Sequence, residues 1–148
     1  MNIAIGADHA GVDAKNRIKA VLTDLGHAVT DCGTNDDTSV DYPDFAAAVS
    51  SAVTRGEAQR GILVCGTGIG MSIAANKHVD VRAAKCNDPQ EAQMSRAHND
   101  ANVLCLGARV LDESVMDEIV IRFLETEFEG GRHARRVDKM MRGGAGEG

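Results

Sequence analysis

The sequence predicts a three-layer α/β domain built on a doubly wound sheet of about five parallel strands. Three observations predict it. Short apolar runs alternate about five times with amphipathic segments. The apolar runs are nearly continuous rather than alternating, as in strands buried on both faces. Connections of this kind join parallel strands through right-handed crossovers.

Each element follows in order. Residues 2–7, NIAIGA, read as the first strand, and 11–26 as a helix closed by Gly26. Residues 27–33 form the second strand. Residues 41–56 form a helix with Asp41 as its cap and Pro43 in its first turn, ending at Gly56. The third strand is RGILVCG, 60–66, and its helix runs from Gly70 to His78. Residues 81–86 are the fourth strand. Residues 88–100 are a helix capped by Asp88 with Pro89 at its first position. Residues 102–108 are the fifth strand, and 112–128 a long helix with Asp112 as its cap. After Gly130 and Gly131 a basic helix spans about 131–142 and need not pack on the main body. The expected organisation is one domain over 1–142 and a disordered tail over 143–148.

A chain of 148 residues fits one domain, and at this size it buries roughly 68–70% of its unfolded surface. With 43% hydrophobic and 26% charged residues, the composition is that of an ordinary globular protein. There is no apolar run long enough for a membrane span. No basic region precedes the first short apolar stretch, so the N-terminus does not read as a signal peptide. Cys32, Cys65, Cys86 and Cys105 show no paired or metal-ligand spacing. They read as reduced thiols of a cytoplasmic protein. A net charge of −6 argues against a nucleic-acid binder. Yet Arg132, Arg135, Arg136, Lys139 and Arg142 crowd one segment against a single acid, Asp138. Such a patch on an acidic protein suggests a small anionic ligand.

Ligands of open α/β sheets bind at the carboxyl ends of the strands. Asp8 and His9 follow the first strand, Cys65 and Gly66 the third, and Arg109 the fifth. The glycine turn Gly66-Thr67-Gly68-Ile69-Gly70 matches no dinucleotide fingerprint, because its third glycine comes one place early. It lacks the Lys of a Walker loop. It also lacks the arginine of a tyrosine-phosphatase loop, since Met71 stands there. A cysteine that ends an apolar strand is usually a small buried hydrophobe. Beside a helix N-terminus and unpaired amides, however, its thiolate is favoured, as nucleophile or base. Amides from Gly66 to Gly70 would face the same point and stabilise an oxyanion, with the Thr67 hydroxyl beside them. His98, followed by Asn99, lies at the predicted end of a helix, where the dipole favours an imidazolium suited to general acid work. His27, His78 and His133 read as surface residues. Arg132 and Arg136, four apart, share a helical face and could pinch a phosphate.

The blocks GADHAG, DYPDFA, GILVCGTGIGMSIAANK, SRAHNDANVLCLGAR and EGGRHARRVDK resemble, in order over residues 2–139, the ribose-5-phosphate isomerase B family. That family includes the galactose-6-phosphate isomerase subunits. The resemblance implies a Rossmann-like fold and a homodimer or tetramer whose active sites lie between subunits. It also implies a sugar-phosphate substrate and catalysis without metal or organic cofactor. Cys65 then corresponds to the base that moves a proton between carbons 1 and 2 through an enediolate, and Thr67 and His98 to the groups that open the furanose ring. Asp8, His9, Tyr42, Gly66, Gly68, Ile69, Gly70 and Asn99 correspond to substrate-binding positions. Arg109, Arg132 and Arg136 correspond to the phosphate grip, assisted by His9. One branch of the family carries a glutamate base later in the loop, where this chain has Met71.

The expected function is therefore interconversion of ribose 5-phosphate and ribulose 5-phosphate. The alternatives are isomerisation of a tetrose, allose or galactose phosphate, a phosphocysteine carrier, and a non-catalytic phosphate-binding module.

Overall fold

A computed structural model describes residues 1–143; the expected tail, apart from Gly143, lies outside the described residues. The strands are β1 (Asn2–Ala7), β2 (Ala28–Asp31), β3 (Arg60–Cys65), β4 (Ala83–Lys85) and β5 (Val103–Gly107). The helices are α1 (Val12–Asp24), α2 (Tyr42–Thr54), α3 (Ile69–Ala75), α4 (Pro89–Ala97), α5 (Glu113–Glu125) and α6 (Arg132–Met141). All strand pairings are parallel, in the order β2-β1-β3-β5-β4.

Side chains alternate across the three central strands, so each strand feeds two cores. Ile3, Ile5, Ile62, Val64, Leu104 and Leu106 pack beneath Ile18 of α1, Ala92 of α4 and Ile119 and Phe123 of α5. Ala4, Leu63, Cys65, Val103 and Cys105 pack on the other face beneath Ala46 and Val49 of α2 and Met71 of α3. Burial on both faces is what makes β1, β3 and β5 continuously apolar. The outer strands depart from the expectation. β2 alternates exposed and half-buried residues, and β4 is half-buried throughout, because an edge strand has a neighbour on one side only.

The ends of the elements follow local chemistry. Asp88 caps α4 by accepting from the Glu91 amide, with Pro89 at the first turn. Asp41 and Asp112 hold the expected cap positions of α2 and α5, but neither side chain makes a capping hydrogen bond. The strand expected over 81–86 shortens to β4. Asn76 clamps Ala83 by exchanging two side-chain hydrogen bonds with its backbone, and Asn102 accepts from the Arg82 amide.

Lys15 of α1 is fully buried, with its ammonium 2.7 Å from Asp31 at the end of β2. Asn35 accepts from the same ammonium, and Lys19 supplies a second cation to Asp31. Burial alone would raise the Asp31 carboxyl, but the hydrogen bonds from Lys15, Lys19 and the Gly33 amide outweigh it and hold the carboxyl below its usual value. α6 follows the positive-φ pair Gly130 and Gly131 and buries only His133 and Val137.

Candidate active site

Ten of the predicted site residues lie at the carboxyl end of the sheet. Cys65 closes β3, 5% exposed, and its Sγ accepts a hydrogen bond from the Gly68 amide at 3.1 Å. That N–H fixes the sulfur at the start of the glycine turn. Gly68 has a φ of 82°, which turns the chain into α3, and an added Cβ would sit 3.0 Å from the Leu106 carbonyl carbon. Thr67 is exposed, and its hydroxyl oxygen accepts from the Ile69 amide. That leaves the hydroxyl proton free to donate. The five loop amides therefore do not share one external target as expected: Gly68 and Ile69 serve Cys65 and Thr67.

The flanking loops complete this end. The Asp8 carboxylate accepts from the Ala10 amide, and the Asp8 amide donates to Val64 in β3. His9 accepts from the Val40 amide through Nδ1, which puts its ring proton on Nε2. Tyr42, the first residue of α2, lies against Gly70, so an added Cβ there would fall 2.7 Å from the ring. The Arg109 amide donates to the Gly66 carbonyl, and its guanidinium reaches within 3.2 Å of where a Gly66 Cβ would stand. The loops after β1, β3 and β5 thus meet around one thiol. Ile69 opens α3, half exposed.

The other three thiols are held in the protonated form. Burial raises Cys32, pushes Cys86 up to about 11, and with the neighbouring Cys65 and Cys86 raises Cys105 further still.

The remaining four site residues lie at the opposite end of the sheet. His98 ends α4, as predicted, its amide donating to Met94. α4 returns the chain from the carboxyl end of β4 to the amino end of β5. β5 alone spans about 16 Å, so His98 and Asn99 are separated from Cys65 by the depth of the sheet. Arg132 and Arg136, both exposed on α6, belong to the His98 end, because the Glu129 amide donates to Ala97 and ties the start of α6 there.

His133 is not the surface residue expected. It is buried and stacks on His98, with ring centroids 4.2 Å apart and planes 9° from parallel. Glu129 Oε1 lies 3.6 Å from His133 Nε2 and 3.9 Å from His98 Nε2. Burial, then the neighbouring charges of His98, Arg132 and Arg136, pushes the His133 imidazole below its usual pKa against the pull of Glu129. The four-residue spacing of Glu129 and His133 was the available sequence signal; their approach to His98 depends on the loop before α6.

A broader groove of about 570 Å³ runs between the α3–β4 connection and the end of α6. Asn99, Val79, Arg82 and Met140 are among its walls. Among the described residues no helix is long and apolar enough to cross a membrane.

A family model described as Ribose/Galactose Isomerase matches residues 3–140. The chain is 48% identical over 136 residues to ribose-5-phosphate isomerase B of Escherichia coli, covering 92% of this chain and 91% of that protein. It is 47% identical over 142 residues to D-erythrulose-4-phosphate isomerase of Pectobacterium atrosepticum, covering 95% and 93%. The solved structure of ribose-5-phosphate isomerase B from Clostridium thermocellum superposes with a TM-score of 0.95 at 51% identity, covering 96% of each chain. The fold is accordingly Rossmann-like.

Proposed function

As the chain belongs to the ribose/galactose isomerase family and is a sugar-phosphate isomerase, we propose that it interconverts ribose 5-phosphate and ribulose 5-phosphate with Cys65 as the base. The observation that carries this reading is the Gly68 amide donating to Cys65 Sγ at the carboxyl end of β3. A thiolate held there takes the proton from carbon 2 of the open-chain aldose and returns it to carbon 1. Meanwhile the hydroxyl proton of carbon 2 passes to the oxygen of carbon 1. Loop amides of Gly66 and Gly70 and the Thr67 hydroxyl stabilise the enediolate oxygens. His98 and Thr67 open the furanose ring by moving its proton. Asp8, His9, Tyr42 and Asn99 bind the sugar.

Arg109, Arg132 and Arg136 hold the phosphate, which supplies binding energy remote from the reacting carbons. Residues 1–142 act as one isomerase domain, and no metal or organic cofactor is required for the proton shift. The separation of His98, Asn99, Arg132 and Arg136 from Cys65 supports a homodimer in which each site takes these four from the second copy, and such dimers can pair into a tetramer.

A four-carbon substrate is the second reading, favoured by the similarity to the D-erythrulose-4-phosphate isomerase. Steady-state isomerisation of four-, five- and six-carbon aldose phosphates, with wild type beside Cys65→Ala, tests both. The expected result is a kcat/KM maximum at ribose 5-phosphate, lost on the order of 10²–10⁴-fold in the variant. A maximum at the tetrose phosphate would move the substrate, and full activity in Cys65→Ala would remove the base.

A further inference from the structure

We propose that His98, Glu129 and His133 form a binding site for a first-row divalent metal of the Zn²⁺ class, and that occupancy switches the enzyme off. The three ligand atoms, two imidazole nitrogens and one carboxylate oxygen, all lie within 4.8 Å of one another. Two imidazoles and a carboxylate are a recurrent zinc donor set, which leaves the fourth tetrahedral position to water.

In such a site each ligand stands about 2.0–2.2 Å from the metal. The donors are therefore about 3.3 Å apart, by the geometry of a tetrahedron. The present separations of 3.6 and 3.9 Å from Glu129 need only small side-chain adjustments to reach that. The parallel rings must open into a V so that both Nε2 lone pairs converge. His98 and Glu129 have the room, with side chains 38% and 58% exposed. The scaffold under them is fixed. The Glu129 amide donates to Ala97 beside His98, and the His133 amide closes the first turn of α6 on Gly130. Arg132 and Arg136 on the same helix oppose a dication. The donor set, with two imidazoles and a single carboxylate, selects for nitrogen-seeking ions such as Zn²⁺, Co²⁺ and Ni²⁺ over Mg²⁺ or Ca²⁺, which require more oxygen donors.

The inhibitory consequence rests on the ring-opening role proposed above for His98. A metal on Nε2 occupies the nitrogen that would carry the proton, so ring opening stops while the fold and the Cys65 end are untouched. The binding site itself stands on the geometry alone.

The test separates the two. Co²⁺ is titrated into the full-length Cys65→Ala protein, which removes the competing active-site thiol, and the visible absorption of four-coordinate cobalt is followed. The same titration is run with Glu129→Gln and with His133→Gln added. The expected result is saturable binding that weakens on the order of 100-fold when either ligand is lost. Glu129 is exposed, so Glu129→Gln keeps the test valid if His133→Gln fails to fold. Absence of the cobalt spectrum, or unchanged affinity in both variants, overturns the site. With the Cys65-containing enzyme, Zn²⁺ should abolish turnover of furanose substrate and a chelator should restore it, with Glu129→Gln resistant. Binding at this site without inhibition would support the metal site while striking His98 from ring opening.

Discussion

The Gly68 amide donates to the Cys65 sulfur across 3.1 Å, from a residue whose φ of 82° only glycine adopts readily. The backbone turn and the proposed base are therefore one feature. Gly68→Ala should cost about 1–2 kcal/mol of stability, because alanine strains the left-handed turn. It should also lower kcat by at least about tenfold, as the tilted amide no longer holds the Cys65 sulfur in place. Denaturant unfolding reads the first effect, and kcat beside the rate of Cys65 alkylation reads the second. A variant that is less stable but alkylates and turns over normally would detach the amide from the chemistry.

The four thiols should separate in reactivity. Iodoacetamide at pH 8 should modify Cys65 ahead of Cys86 and Cys105, because burial holds Cys86 near 11 and raises Cys105 further. Ribose 5-phosphate should protect Cys65 alone. Peptide mass spectrometry over a time course gives the order, and labelling of Cys105 before Cys65 would contradict it.

Because Arg132 and Cys65 lie at opposite ends of one sheet, two crippled chains should rescue each other. Arg132→Ala alone should weaken sugar-phosphate binding by about 1.5–3 kcal/mol, seen as a raised KM. Unfolding and refolding it in equal mixture with Cys65→Ala should restore about a quarter of wild-type kcat/KM, read at substrate well below the variant's KM, since half of the random dimers carry one intact site out of two. No recovery, with heterodimers present by native mass spectrometry, would rule out the shared site.

Asp31→Asn should destabilise the fold by about 3 kcal/mol, because it strips the carboxylate from the fully buried Lys15. The pH dependence has a definite sign. The folded-state Asp31 carboxyl sits below its usual 3.8, so its contribution is complete above that value and is lost as pH falls through the lower folded value. Urea midpoints measured between pH 7 and pH 2 should fall less steeply in Asp31→Asn than in the wild type across that acid range.

Much of the architecture was legible because its causes are local. Continuous apolar runs marked β1, β3 and β5, and Asp88 with Pro89 marked the start of α4, since each rests on groups a few residues apart. The errors fell where the cause was remote. The edge strands looked as apolar in prospect as the central ones, but their burial depends on which strands flank them. Asp41 and Asp112 stood in cap positions, but their side chains are exposed and make no capping hydrogen bond.

The sequence by itself determined the alternation of strand and helix, the cysteine at a strand end followed by a glycine turn, and the arginine-rich last helix. These follow from side-chain periodicity and backbone permissiveness over short spans. Only the tertiary structure decided that His133 is buried against His98, and that Glu129 stands beside both. It also showed His98 and Arg132 at the far end of the sheet from Cys65. The stacked pair His98 and His133 alone lies 35 positions apart in the chain, and Cys65 and Arg132 lie 67 apart. These relationships depend on how β4, α4 and the loop before α6 pack as a unit, and no local stretch of sequence carries that information.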